Sequence, residues 1–280
     1  MTTALGPRAG RPAQPRQGGA GASPARFSDA LRCEWAKLTS VRSTWVTLLV
    51  SLLLGVGVGA LISYLAGSHY ATGGFRGRAW DPTAVSLRAL TIAQLAIAVL
   101  GSLVVTSEYG TGMIRTSLTA TPRRGRFLSS KAVVFTAVAL VVGEIMAFAA
   151  FLLGQLAIGS NAPHTSLAAP EVLRAVIGAG LYLALIGLLS SCVGALVRNT
   201  AAAISSMVAL LFVLPGVVQA LPASWSNVIT EWWPTQAGSQ VYSLHRSAHT
   251  LSSWSGFAVL VVFTVIVFTA ALWVIEHRDA

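Results

Sequence analysis

Charge is scarce in this sequence. Asp, Glu, Lys and Arg make up 10% of its 280 residues, whereas soluble domains carry about 25%. That scarcity excludes an ordinary water-soluble domain, and a mean hydropathy of +0.70 points the same way. Cysteine is scarcer still. Cys33 and Cys192 stand alone and far apart, which excludes a disulfide framework and a Cys-based metal site. Both read as reduced packing residues.

Catalytic signatures are missing too. There is no G-x-x-x-x-G-K-[ST] phosphate loop, so the chain does not supply its own ATP site by that route. No H-E-x-x-H marks a metalloprotease, and the Ser-rich stretches lack the G-x-S-x-G elbow that exposes a nucleophile. His245 and His249, in HRSAH, have the spacing of one helix face but no identifiable third ligand. An enzyme is not expected.

Long apolar runs dominate instead. Hydrophobic residues are 54% of the chain, clustered into runs of roughly 20 or more, the length that crosses a hydrocarbon core of about 30 Å. The runs are continuous and lack the period-two alternation of barrel strands. An all-α, polytopic membrane protein follows. Six spans are expected at Thr44–Leu65, Leu87–Thr106, Ala132–Ile158, Val172–Val197, Ala201–Leu221 and Trp254–Ile275.

The net charge of +10 does not point to nucleic acid, because the basic residues flank apolar runs and form no single folded face. They set orientation instead. Seven precede the first span, five lie between Arg115 and Lys131, and Arg198 and Arg278 follow on the same side. Arg76, Arg78, Arg88, Arg174 and Arg246 fall on the other. The positive-inside rule then puts both termini in the cytoplasm.

Residues 1–26, rich in Pro, Gly, Ala and Arg, are expected to be a disordered basic tail, too poor in large apolar side chains to offset their ordering entropy. The six-helix domain then occupies 27–280. Phe27–Arg42 reads as an amphipathic helix on the membrane surface, with Ser28 or Asp29 as its cap. Phe27, Ala30, Leu31, Trp35, Leu38 and Val41 share its apolar face. Glu34 is the misfit on that face. Either it snorkels or pairs with Arg42 or Lys37, or it contacts a partner or another cytoplasmic loop.

Glu144 is an ionisable residue deep inside the third run, within VVGEIMAFA. A carboxylate at a helix centre costs about 2.5–3.5 kcal/mol on insertion scales, so it rarely faces lipid. It either lines a water-filled pathway or dimer interface, or is hydrogen-bonded to another span near Gln94, Ser190 or Ser191. Pro215-Gly216 is expected to kink the fifth span. The segment 222–253 carries Trp225, Trp232, Trp233, Tyr242 and nearby Trp254, rings suited to headgroup level. A short re-entrant or surface helix is expected there.

Between the second and third runs lies TSEYGTGMIRTSLTATPRRGRFLSSK, Thr106–Lys131. It is too polar to span and reads as a docking surface, its cytoplasmic coupling segment being 107–131. A short helix beginning near Glu108, with Met113, Ile114 and Leu118 clustered, offers an apolar ridge to a groove, and Arg115, Arg123 and Arg124 can pair with an acidic rim. Anionic lipid headgroups are the alternative partner for a basic loop.

Glu108-Tyr109, Gly110 to Arg115, Leu118, Pro122-Arg123-Arg124 and Lys131 follow one another in an order that closely resembles the membrane subunits of export-type (type-two) ABC transporters. Glu34-Trp35-x-Lys37-Leu38 and Arg42-Ser43-Thr44-Trp45 are similar to the start of actinobacterial members, and Trp233-Pro234-Thr235 with Gly238 looks like the family too. The resemblance covers roughly residues 27–278; Gly110 departs from it, where many relatives carry a larger or charged residue. It implies a permease in a bacterial plasma membrane that forms an export pathway with a second permease subunit. A separate ATPase would use ATP and Mg, leaving no cofactor on this chain. Glu108, Tyr109, Met113, Ile114, Arg115, Leu118, Arg123 and Arg124 would couple to that ATPase, beside Glu34, Trp35, Lys37 and Arg42 on the surface helix. The alternative is a stand-alone secondary transporter or channel using Glu144.

Overall fold

The computed structural model describes residues 26–74, 80–114, 124–246 and 249–277, with Ser43 described by its backbone alone. The helices are α1 (Phe27–Ser40), α2 (Arg42–Ala71), α3 (Pro82–Leu87), α4 (Leu90–Gly110), α5 (Arg124–Ile158) and α6 (Val172–Val197). They continue as α7 (Thr200–Gln219), α8 (Ala223–Trp232), α9 (Pro234–Ser239) and α10 (Ser253–His277). No strand occurs among the described residues. Six helical segments are long and apolar enough to cross a membrane: α2, α3–α4 together, α5, α6, α7 and α10. The all-α, six-span expectation therefore holds. Several helices outrun their apolar windows, because polar residues such as Ser68, His69 and Arg124–Lys131 continue the helix without adding hydropathy.

The centre of the bundle is α4 against α6. Their apolar windows are 61% and 67% buried, against 28%, 28% and 22% for α2, α7 and α10. In hydrocarbon, burial of apolar groups alone does not drive helices together, so small residues and interhelical hydrogen bonds must. Gly101 faces Gly187, where an added Cβ would run into the Gly187 carbonyl. Tyr182 donates to Gln94 Oε1 at 2.7 Å, Ser102 and Ser190 hydroxyls meet at 2.8 Å, and Ser190 also donates to the Ala98 carbonyl.

α1 is turned differently from the sequence expectation. Arg26 is its N-cap residue, and Asp29 reaches back to accept from the Arg26 N–H at 3.1 Å. Ala30 and Glu34 are buried, while Phe27, Trp35 and Val41 are exposed. The inward stripe thus carries the charged misfit, and the large apolar rings face outward, as they would towards lipid. Cys33 is exposed and Cys192 buried, so only Cys192 is the packing residue expected of both. One residue, Val41 in extended conformation, separates α1 from α2.

Near Pro215, where a kink is expected, the helix changes its winding. Residues Ala209–Val213 are wound as a π-helix, and the Leu214 N–H reaches back five residues to Ala209 O. In that register Leu210 O would accept from residue 215, but proline has no N–H. Trp233 Nε1 supplies the missing donor, at 3.1 Å from Leu210 O. In the segment 222–253, α9 packs against α10, with Thr235, Ala237 and Gly238 buried. Trp225, Trp232 and Trp254 are exposed. Arg174 ties the following turn down, donating to Val241 O at 2.6 Å and Ser243 O at 3.1 Å.

Candidate functional site

Where α1, the end of α4 and the start of α5 converge, four charges are drawn together. Lys131 Nζ lies 2.6 Å from Glu34 Oε2 and 2.7 Å from Glu108 Oε1. Lys37 Nζ lies 2.8 Å from Glu34 Oε1 and 3.1 Å from the same Glu108 oxygen. Glu34, Glu108 and Lys131 are 4%, 7% and 3% exposed. Both ammonium groups also sit over the Phe127 ring, 5.6 Å and 5.3 Å from its centroid, within cation–π reach.

Local structure puts each group there. Glu34 and Lys37 are three residues apart and share a face of α1. Glu108 sits in the last turn of α4, which runs on to Gly110; Gly112, at φ +70°, then stops the helix. Glu108 therefore ends a helix, where the sequence had suggested that it begins one. Lys131 is two turns into α5, which starts at Arg124. The group is neutral as a whole, two acids against two bases. Buried ion pairs often gain little net stability, because desolvation consumes the Coulombic gain. Their value here is positional: one rotational setting of α1 lets both Glu34 and Lys37 reach inward. Burial pushes the Lys37 ammonium down, but Glu34 and Glu108 outweigh it and hold its pKa above the ordinary 10.5.

A groove of about 360 Å³ opens beside this quartet. Leu38 and Val41 of the α1 arm, Thr44 and Thr47 of α2, and Leu100 and Val104 of α4 line it, with the quartet at one end. That volume lies within the range of about 300–1,000 Å³ typical of small-molecule sites.

The remaining candidates are dispersed. The Tyr109 ring lies 5.4 Å beneath the Arg198 guanidinium. Met113 is 50% exposed, whereas Ile114 is buried with Phe127, Cys192 and Ala271 and takes no part in an exposed ridge. Arg124 donates to Ile275 O at 3.4 Å. Trp35 and Arg42 are exposed. Arg115, Leu118 and Arg123 lie outside the described residues, as does nearly all of the expected tail.

Glu144, half-buried on α5, turns its carboxyl into the notch left by Gly180 of α6, and its Oε2 is buried without a hydrogen-bond partner. The neighbours considered for it are engaged elsewhere. Gln94 serves Tyr182, Ser190 serves Ala98 and Ser102, and Ser191 donates to Leu188 O. His245 meets Asp81 Oδ2 at 2.9 Å, and Asp81 caps α3 through the Ala84 N–H.

In the sequence, Lys131 stands out for its place in the connector pattern, not as a site residue. A signal was present: an isolated cation at the head of the apolar run AVVFTAVALVV, facing two isolated acids, Glu34 and Glu108. Gln155 was missed altogether. It donates to Pro82 O and Ser86 Oγ and accepts from the Thr165 N–H, tying α5 to α3 at the opposite end of the bundle.

A family model described as "ABC-2 family transporter protein" matches residues 30–216, from α1 into α7 and across the whole quartet. No match to a curated protein was found.

Proposed function

This chain belongs to the ABC-2 transporter family, and from that premise we propose that it is the membrane-spanning permease subunit of an ATP-binding cassette exporter. Two permease subunits form the pathway, in a bacterial plasma membrane with both termini in the cytoplasm, as the bias of basic residues favours. A separate ATPase binds ATP and Mg and docks on the connector between α4 and α5. Met113 and Arg124, with Arg115, Leu118 and Arg123, form its landing surface.

The quartet is the observation that carries this reading. The connector leaves from the two helix ends that hold Glu108 and Lys131, and both side chains grip α1. A push on the connector therefore pulls on α1, which Val41 joins to the first span along the chain and which Trp45 of that span also grips, its Nε1 donating to Thr39 O at 3.2 Å. ATP binding shifts this chain only if the two states of the ATPase contact it differently. The exposed Met113 offers a contact that can differ.

The test is co-purification with the ATPase from native membranes, followed by reconstitution in liposomes. ATP-dependent export is expected, and Met113→Glu should leave the subunits assembled while lowering coupled hydrolysis several-fold. Cargo movement by the chain without any ATPase would overturn the proposal. The second reading, a stand-alone transporter, rests on the unpartnered Glu144 oxygen. It requires ATPase-free transport that Glu144→Gln abolishes.

A further inference from the structure

The groove beside the quartet has a polarity order of its own. One end holds Glu34, Lys37, Glu108 and Lys131, and the rest of its lining includes Leu100, Leu103 and Val104 of α4 with Val41, Thr44 and Thr47. From Glu108 back to Leu100, α4 rises about 12 Å, so the groove runs from the charged end of the bundle into the depth of one leaflet. Charge below and hydrocarbon above is the order of a membrane amphiphile, not of a soluble metabolite or a peptide helix, which would need polarity along its length.

The charged end also selects a sign. The side chains of Glu34, Glu108 and Lys131 are 5%, 8% and 4% exposed, whereas that of Lys37 is 28% exposed. A headgroup arriving along the groove therefore meets an ammonium before it meets a carboxylate. The Ser107 hydroxyl, next to Glu108 in the chain, also lines the groove and can donate to an anion. We propose that this groove binds one acyl chain of an anionic amphiphile from the leaflet that faces α1, its headgroup held at Lys37. An alkyl chain fills the apolar walls, and the phosphate or carboxylate adds a negative partner at Lys37 beside the pairs it already makes with Glu34 and Glu108. The permease reading supplies only the cytoplasmic name of that leaflet; the binding itself needs no ATPase. An occupied groove wedges α1 against α4, so the same site is placed to report leaflet composition to the quartet.

The test uses the full chain in nanodiscs, without nucleotide or partner, and so reads separately from coupling. Three palmitoyl probes carrying a diazirine in the chain are compared: lysophosphatidylglycerol, lysophosphatidylcholine and monoacylglycerol. The anionic probe is expected to crosslink within residues 38–47 or 100–113. Leu103→Trp, which fills the groove from an already half-buried position, should abolish that crosslink. Lys37→Gln should weaken the anionic probe about tenfold or more, the loss of one charge-assisted hydrogen bond, and leave the other two unchanged. Equal labelling by all three probes, or crosslinks that survive Leu103→Trp, would overturn the inference. Should Lys37→Gln fail to fold, the comparison of probes on the unaltered chain decides the matter alone.

Discussion

Lys131 and Glu34, 97 residues apart in sequence, meet at 2.6 Å in a site where each side chain is at most 5% exposed. Their contact fastens α1 to the head of the third span. Around it, Glu108 and Lys37 complete a quartet of two acids and two bases.

Neutrality makes the quartet testable as a unit. Glu34→Gln or Lys131→Gln alone strands a buried charge and should cost about 3–5 kcal/mol. The double variant leaves Lys37 with Glu108, a balanced pair, and should be less destabilised than either single variant. Thermal unfolding of the detergent-solubilised chain measures all three. A double variant as unstable as the sum of the singles would deny the coupling.

The same network sets an alkaline limit. Because the folded pKa of Lys37 lies above its ordinary 10.5, protonated Lys37 favours the folded state, fully so below 10.5. That contribution is lost as pH rises through the folded value. The stability difference between the unaltered chain and Lys37→Met should be flat at neutral pH and shrink above 10.5, as read by melting temperature across a pH series.

The π-wound segment of α7 gives a double-mutant cycle. Trp233→Phe removes the donor to Leu210 O and should cost about 0.6–1.5 kcal/mol. Pro215→Ala restores a backbone N–H that can serve that carbonyl. In the Pro215→Ala background the Trp233→Phe loss should fall by at least about 0.5 kcal/mol.

Two glycines should respond with opposite signs. Gly101→Ala drives a Cβ into Gly187 and within 3.0 Å of Ser190 Cβ, and should destabilise by about 1–3 kcal/mol. Gly57 has nothing within 4 Å of a built Cβ, so Gly57→Ala should gain about 0.5–1 kcal/mol of helix stability. Parallel melts of the two variants compare them directly.

The fold was legible in the sequence because each span carries its own length and hydropathy, which are local properties. α1 was legible as a helix but not in its rotation. Periodicity groups Phe27 and Trp35 with Glu34 on one face; it does not show that the two rings end up exposed while Glu34 turns inward. That outcome depends on Lys131, a residue on another span. Glu108 misled for a related reason: its polarity marks the end of an apolar run, and the α4 backbone carries on to Gly110. The π segment was hidden because Pro215 signals a break without saying how the backbone relieves it. Ile114 looked like ridge material, since a sequence cannot distinguish a docking residue from a plug in the α4–α5 end cluster.

The single extended residue between α1 and the first span has a mechanical consequence. A joint of one residue contains no slack, so the two rods cannot reorient independently. The 14-residue arm Phe27–Ser40 is about 21 Å long at 1.5 Å per residue, so a tilt of roughly 10° at the elbow sweeps its far tip through about 4 Å. Lengthening the elbow with a few glycines would turn a stiff crank into a loose tether while leaving both rods and every charge in place.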